Sequence, residues 1–191
     1  MKKILVALLT LALAFSMAFT LASCNDGDSN NGGEATTTAP VEETTVPTPN
    51  GYTLYNNGKI SFAYPSTWTK QAGSVDMLIN ESGAGNNITV SYEQHSDIYT
   101  KMDVASFNTV LKPTFAAMGM TTSNVSVSQI TNKNKVDMTK ISYSASMNGV
   151  DMKQTMYVVA AGGLNYIVTV TETTADATLV NNVLDTLYVI K

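Results

Sequence analysis

The stretch YTLYNNGKISFAYPSTWT, residues 52–69, decides the fold class of the chain. Asn57-Gly58 lies between two runs of alternating residues, and this dipeptide is the strongest short-range signal for a β-hairpin with a two-residue turn. In the second run the apolar residues from Ile60 to Tyr64 fall at every second position, so they share one face of a strand. The stretch therefore predicts an antiparallel hairpin, with one face buried, at the start of a folded domain.

The residues that follow this hairpin predict a second hairpin and then a helix. Residues 75–80 and 88–94 flank the polar segment ESGAGNN, which is typical of a hairpin with a longer loop. Asp103 is a suitable helix N-cap, and apolar residues follow it at steps of three and four until Gly119. Pro113 interrupts this pattern, so the helix is expected to bend or break just before it.

The second half of the chain predicts a run of strands that ends in one helix. A strand at about 124–130 precedes three strands that glycine-containing turns separate. Those three strands are expected at 136–147, 151–161 and 164–171. The middle one contains TMYVVAA, which is apolar on both faces, so it is expected to be central and covered on both sides. The closing helix has Thr174 as its expected N-cap and should bury Ala177, Val180, Val183, Leu184 and Leu187.

This order of elements predicts an α+β fold in which helices pack on a meandering antiparallel sheet. The stretch ISFAYPSTWT, residues 60–69, resembles the opening of the PsbP-like fold, in which an early strand ends in an aromatic-Pro-x-x-Trp turn. The strand and helix order over residues 52–190 is also similar. The resemblance implies an αβα sandwich used mostly for docking and assembly, with no shared catalytic residue. The alternative fold is a small β-barrel closed by the C-terminal helix.

The first 23 residues are typical of an export signal. Two lysines precede an uncharged apolar run, residues 4–19, which is shorter than the ~20 residues of a membrane-spanning helix. The next residues, Leu21-Ala22-Ser23-Cys24, resemble the lipobox of bacterial lipoprotein precursors. The resemblance implies lipid attachment at Cys24 and an anchor at the extracytoplasmic face of the cell membrane. An ordinary signal peptide with a chance cysteine and an uncleaved helical anchor are the alternatives.

Residues 24–50 are expected to combine the lipidated cysteine with a disordered linker. The segment contains EATTTAPVEETTVPTP and has too little apolar surface to offset the entropy of ordering it. It has no basic residue, and its acidic residues are Asp26, Asp28, Glu34, Glu42 and Glu43. Residues 51–191 are then long enough to form a single globular domain.

The composition argues against several classes of function. All 11 basic residues are lysines, against 15 acidic residues, so a nucleic acid, which needs a basic face, is not an expected partner. The chain has one Cys and one His, and it lacks the motifs of serine hydrolases, zinc proteases and nucleotide-binding loops. We therefore expect no catalytic residue and no cofactor.

The only histidine lies in YEQHSD, where Glu93, His95 and Asp97 occupy alternate positions. One imidazole and two carboxylates are a possible metal or acid–base set. On a straight strand the outer pair would be ~13 Å apart, so a solvated strand end is the favoured interpretation. The methionines are likewise expected to fill the core rather than to bind copper. No metal site is predicted.

Tyrosines provide the candidate contact surface, because each joins an apolar ring to a polar tip and is enriched at interfaces. Tyr64 and Trp68 are expected to fill the end of the sandwich. Tyr52, Tyr55 and Tyr99 lie near turns and are the candidate contact residues. The sequence thus predicts a binding or assembly module for a protein, glycan or small ligand at the cell envelope. The alternative is an envelope enzyme or a metal-handling protein with an unrecognised site.

Overall fold

A computed structural model of the chain describes residues 47–73, 75–80 and 85–190. The predicted export signal, Cys24 and nearly all of the linker lie outside these residues. The described strands are β1 (Tyr52–Asn56), β2 (Ile60–Pro65), β3 (Thr69–Gln71), β4 (Asp76–Ile79), β5 (Asn87–Gln94), β6 (Met120–Thr131), β7 (Asp137–Met147), β8 (Val150–Ala161), β9 (Leu164–Glu172) and β10 (Tyr188–Val189). The described helices are α1 (Asp97–Thr100), α2 (residues 104–117) and α3 (Ala177–Thr186).

The described strands form two antiparallel sheets. The large sheet has the order β3-β4-β5-β9-β8-β7-β6, and the small sheet has the order β1-β2-β10. Strand β8 lies between β9 and β7, so the expectation of a central strand is confirmed. The large sheet stays open, with β3 and β6 at its edges, and the alternative of a closed barrel is wrong.

The large sheet separates two hydrophobic clusters because successive side chains of a strand point to opposite faces. On one face, Tyr157 and Val159 pack with Leu179 of α3 and with the small sheet. On the other face, Met156 and Val158 belong to the cluster that contains the buried residues of α2. The result is a layered α+β sandwich, and its first face, which carries α3, also carries the site described below.

Helix α2 has three consecutive parts, Val104–Ser106, the π-helical Phe107–Leu111, and Lys112–Ala117. Asp103 is the N-cap, as predicted, and its Oδ1 accepts a 2.7 Å hydrogen bond from the Ser106 N–H. The wider π-helical turn precedes Pro113, whose ring would otherwise clash with the turn before it. The chain stays helical through Pro113, so the predicted break does not occur, and the hydrogen-bonding pattern changes there from π to α instead. No helix in the described part of the chain is long and apolar enough to cross a membrane.

Helix α3 begins later than the sequence predicts. Its N-cap is Asp176, whose Oδ1 accepts a hydrogen bond from the Leu179 N–H at 2.9 Å, so the prediction of Thr174 is wrong. Glu172 holds the preceding turn, because its Oε1 accepts a hydrogen bond from the Asp176 N–H at 2.7 Å. The first helical residue, Ala177, is consequently exposed rather than buried.

Candidate functional site

The three tyrosines predicted as a contact surface do not form one. Tyr55 is 3% exposed because the inner face of β1 packs on the large sheet. Its ring stacks on Phe62 with centroids 4.9 Å apart, and its hydroxyl donates a 2.8 Å hydrogen bond to Asp76 Oδ2. Burial, reinforced by the Asp76 carboxylate, raises the pKa of the Tyr55 hydroxyl. Tyr52 is half-buried, so it is the only one of the three with a partly accessible side chain.

Tyr99 is buried because α1 folds back onto the second face of the sheet. The side chain is 1% exposed, and the Tyr99 carbonyl accepts a 2.6 Å hydrogen bond from the Thr139 hydroxyl on β7. The Tyr99 hydroxyl lies beside the Glu93 carboxylate without a hydrogen bond of standard geometry. Burial and the Glu93 charge raise the pKa of Tyr99, and burial raises the pKa of Glu93.

The raised pKa of Glu93 predicts a pH-dependent effect of Glu93→Gln. The folded state binds this proton more readily than the unfolded state, so the stability that the group contributes is greatest at low pH. That contribution falls as the pH rises through the pKa of Glu93 in the folded state. We expect Glu93→Gln to be more stable than the wild type near pH 7 and similar to it near pH 3. Urea unfolding midpoints at the two pH values measure this difference.

Asp97→Asn is the control, and we expect it to change the stability near pH 7 in the opposite direction. Lys101 lowers the pKa of Asp97 through a 2.8 Å hydrogen bond, so this carboxylate stabilises the fold at neutral pH and the substitution should lower the midpoint there. Equal midpoints for Glu93→Gln and the wild type at both pH values would mean that the Glu93 carboxylate is solvated.

His95 lies in the loop that joins β5 to α1. Its Nδ1 is 2.9 Å from Asn165 Oδ1, and its Nε2 is 3.7 Å from Asp97 Oδ1. The Asn165 amide also donates a 3.1 Å hydrogen bond to the Ser96 carbonyl, so it fixes this loop. Among the described residues, no three His, Cys, Asp or Glu side chains are grouped so that they could hold a metal ion. The loop therefore gives no support to Glu93, His95 and Asp97 as a metal set.

A groove of about 790 Å³ opens on the first face of the large sheet, beside α3. It lies where α3 packs against β8, with a 3.2 Å hydrogen bond from the Tyr157 hydroxyl to the Val180 carbonyl, and where β7 and β6 extend beyond the helix. One row of directly paired residues crosses its floor from β6 to β9. The members of that row are Ser123, Ser144, Lys153 and Glu172.

The charged side chains of the groove are poorly matched with one another. Two lysines, Lys140 and Lys153, and two carboxylates, Asp151 and Glu172, line it, and none of the four makes an ion pair with another described residue. Glu172 is 5% exposed, and within the described residues its Oε2 is buried without a hydrogen-bond partner. A buried carboxylate oxygen without a donor costs roughly 1–3 kcal/mol or more, so a ligand whose donor reaches it when neighbouring side chains shift would be favoured.

Hydroxyl groups cover the rest of the floor, and part of their hydrogen-bonding capacity is used within the sheet. The Thr121 hydroxyl donates to the Ser146 carbonyl at 3.4 Å, and Ser144 Oγ accepts from the Asn124 amide at 3.3 Å. Each hydroxyl retains lone pairs or a proton for a ligand. No histidine or cysteine is among the described residues that line the groove. The arrangement suits recognition by hydrogen bonds and charge.

Comparisons with known proteins agree with the fold. No family model matches the chain, and no curated protein matches it. The solution structure of cyanobacterial PsbP (CyanoP) from Synechocystis matches with a TM-score of 0.55 at 12% sequence identity, and the match covers 79% of this chain and 98% of that one. The domain has a PsbP-like fold. At this identity the likeness concerns the fold alone.

A second solved structure, from Bacteroides thetaiotaomicron, matches with a TM-score of 0.46 at 14% identity. The match covers 69% of this chain but only 45% of the Bacteroides chain, so the PsbP-like domain spans less than half the length of that protein.

The residues of the groove in the PsbP-like domain were not singled out from the sequence, although β7 carries a signal for them. In MTKISYSASM, residues 138–147, Lys140 and three serines alternate with Ile141, Tyr143, Ala145 and Met147. Such alternation indicates one buried and one open face. The exposed aromatic ring of Tyr92, 63% accessible and 5.8 Å from the Tyr166 ring, was also not among the predicted contact residues.

Proposed function

We propose that the chain is a lipid-anchored extracytoplasmic lipoprotein whose PsbP-like domain is a binding or assembly module. The apolar N-terminal segment and the sequence Leu21-Ala22-Ser23-Cys24 support the anchor. The groove beside α3 carries the proposal of binding. Its polar groups lack partners within the described residues at Lys140, at Lys153 and at one oxygen of Glu172.

The chemistry of the groove favours binding over catalysis. A hydrogen bond to a charged group contributes roughly 1.5–3 kcal/mol, so a ligand that engages Lys140, Lys153 and Glu172 together would be held specifically. A nucleophilic reaction would need a base oriented toward a hydroxyl or thiol. In the described residues, the imidazole of His95 lies instead against Asn165 and Asp97, at the β8–β9 turn.

The predicted linker, residues 24–50, would determine where such a module works. A flexible chain of the length of residues 24–50 has a root-mean-square span of about 25–30 Å. An anchor at Cys24 would therefore keep the domain near the membrane surface. The expected partner is a protein, a glycan or a small ligand of the cell envelope.

The proposal predicts that filling the groove prevents capture of the partner. A photo-cross-linking amino acid placed at Ser123, the exposed residue at which the row across the groove floor ends on β6, should yield an adduct of defined mass on intact cells. Ser144→Trp, made in the same full-length chain, should lower the adduct yield by about tenfold, which corresponds to roughly 1.4 kcal/mol of binding. His95→Ala is the matched control and should leave the yield unchanged.

The reverse result would contradict the proposal. An adduct that survives Ser144→Trp and disappears with His95→Ala, in a folded and correctly anchored protein, would favour the alternative of an envelope enzyme or metal-handling protein. The groove would then lose its assigned role.

A further inference from the structure

Strand β6 is an edge of the large sheet, and no described strand pairs with its outer side. Its 12 residues, MTTSNVSVSQIT, include neither a charged residue nor a proline. Sheet edges in natural proteins are usually blocked by charges, prolines or short strands, because free N–H and C=O groups are a template for further pairing. The one irregularity of β6 lies between Ser123 and Ser126, where Asn124 has a φ of 53°. Residues 126–131 therefore form a regular, uncharged edge.

This edge borders the face that carries the groove. Ser126 pairs with Ser142, and Ser128 pairs with Lys140, so these four side chains share that face of β6 and β7. A strand added outside β6 would place every second side chain on the same face. Its distance from β7 would be two strand spacings, about 9–10 Å. A lysine and a glutamate side chain together span that distance.

The charge of this part of the sheet indicates what kind of strand would fit. Residues 120–161 contain four lysines and two aspartates, and although Lys133 pairs with Asp185 at 2.6 Å, the segment stays net positive. The other described residues contain four lysines and seven acidic residues. Lys140 has no ion pair with any described residue. A second copy of β6 would bring no carboxylate to this face. It would also bring a second net positive segment next to the first.

We infer that β6 binds an extended acidic peptide by strand addition, with alternate carboxylates of the peptide over the face that presents Lys140. In this mode the main-chain hydrogen bonds provide affinity and alternate side chains provide specificity. The inference rests on the proposed function as a binding module, and it names the class of its partner. A polar groove beside a free edge is the arrangement that such recognition requires.

The test uses the full mature chain and three synthetic heptapeptides. The first is Thr-Glu-Val-Glu-Thr-Glu-Val with a fluorescent label, which carries its carboxylates on one face when extended. The second has Gln in place of each Glu, and the third is the Glu peptide N-methylated at every backbone nitrogen. We expect fluorescence anisotropy to show that the Glu peptide binds about tenfold more tightly than either of the others.

Two lysine variants locate the binding surface. Lys140→Gln should weaken binding of the Glu peptide by about tenfold and leave the Gln peptide unaffected. Lys59→Gln, in the β1–β2 turn, should change the binding of neither peptide, and an unchanged unfolding midpoint confirms that both variants are folded.

Equal binding of the Glu, Gln and N-methylated peptides overturns the inference. A dimer in solution also overturns the inference if Ser128→Glu dissociates that dimer and the Glu peptide does not. The strand that pairs with β6 is then a second copy of the chain. Failure of all peptides while the Ser123 adduct persists removes this inference and leaves the proposed function standing.

Discussion

Replacing Cys24 by Ser is expected to abolish lipid attachment to the protein. The proposed modification forms a thioether, and a serine hydroxyl is a far weaker nucleophile than a thiolate. Cells that express either form would be fed an alkyne fatty acid, and the label on the purified protein would be compared. We expect the Cys24→Ser protein to carry essentially no label.

Ser23→Ala is the matched control for this experiment. It keeps a small residue before the cysteine, so both cleavage and labelling should continue at the wild-type level. Equal labelling of the Cys24→Ser and wild-type proteins would refute the proposed lipid attachment at Cys24.

Much of the strand order could be predicted because it depends on local chemistry. The Asn57-Gly58 dipeptide predicted the first hairpin, although Asn57 lies opposite Ile60 and the two turn residues are Gly58 and Lys59. The Asn148-Gly149 and Gly162-Gly163 turns separate β7, β8 and β9 as predicted. Glycine and asparagine adopt the positive φ that such turns need, and here Asn148 has a φ of 52°. The short strands β3 and β10 were not predicted, since neither is long enough to show an alternation of apolar and polar residues.

The candidate site was harder to predict because burial depends on contacts between distant parts of the chain. Tyr55 and Tyr99 both lie near turns, yet the first is covered by the large sheet and the second by the fold-back of α1. The groove likewise results from the position of α3, whose N-cap is Asp176, and the N–H of this residue donates a hydrogen bond to Glu172. None of these contacts produces a periodic pattern of apolar and polar residues in the sequence.

The core on the second face of the sheet is expected to be the part of the domain most sensitive to substitution. Phe107 is fully buried, and its ring centroid is 5.9 Å from that of Phe115 and 5.3 Å from that of Tyr143. Phe107→Ala would leave a cavity that the rigid sheet cannot close. Such a change costs roughly 3–5 kcal/mol, against a typical total stability of about 5–15 kcal/mol.

Urea unfolding of the protein measures this loss as a lower midpoint with an unchanged slope. Val104→Ala is the matched control, because Val104 is on the same helix and is 41% exposed, and it should change the stability by less than ~0.5 kcal/mol. A loss below ~1 kcal/mol for Phe107→Ala would mean that α2 does not pack on the sheet as a fixed layer. The second face would then be open to ligands as well, and the groove beside α3 would no longer be the favoured binding surface.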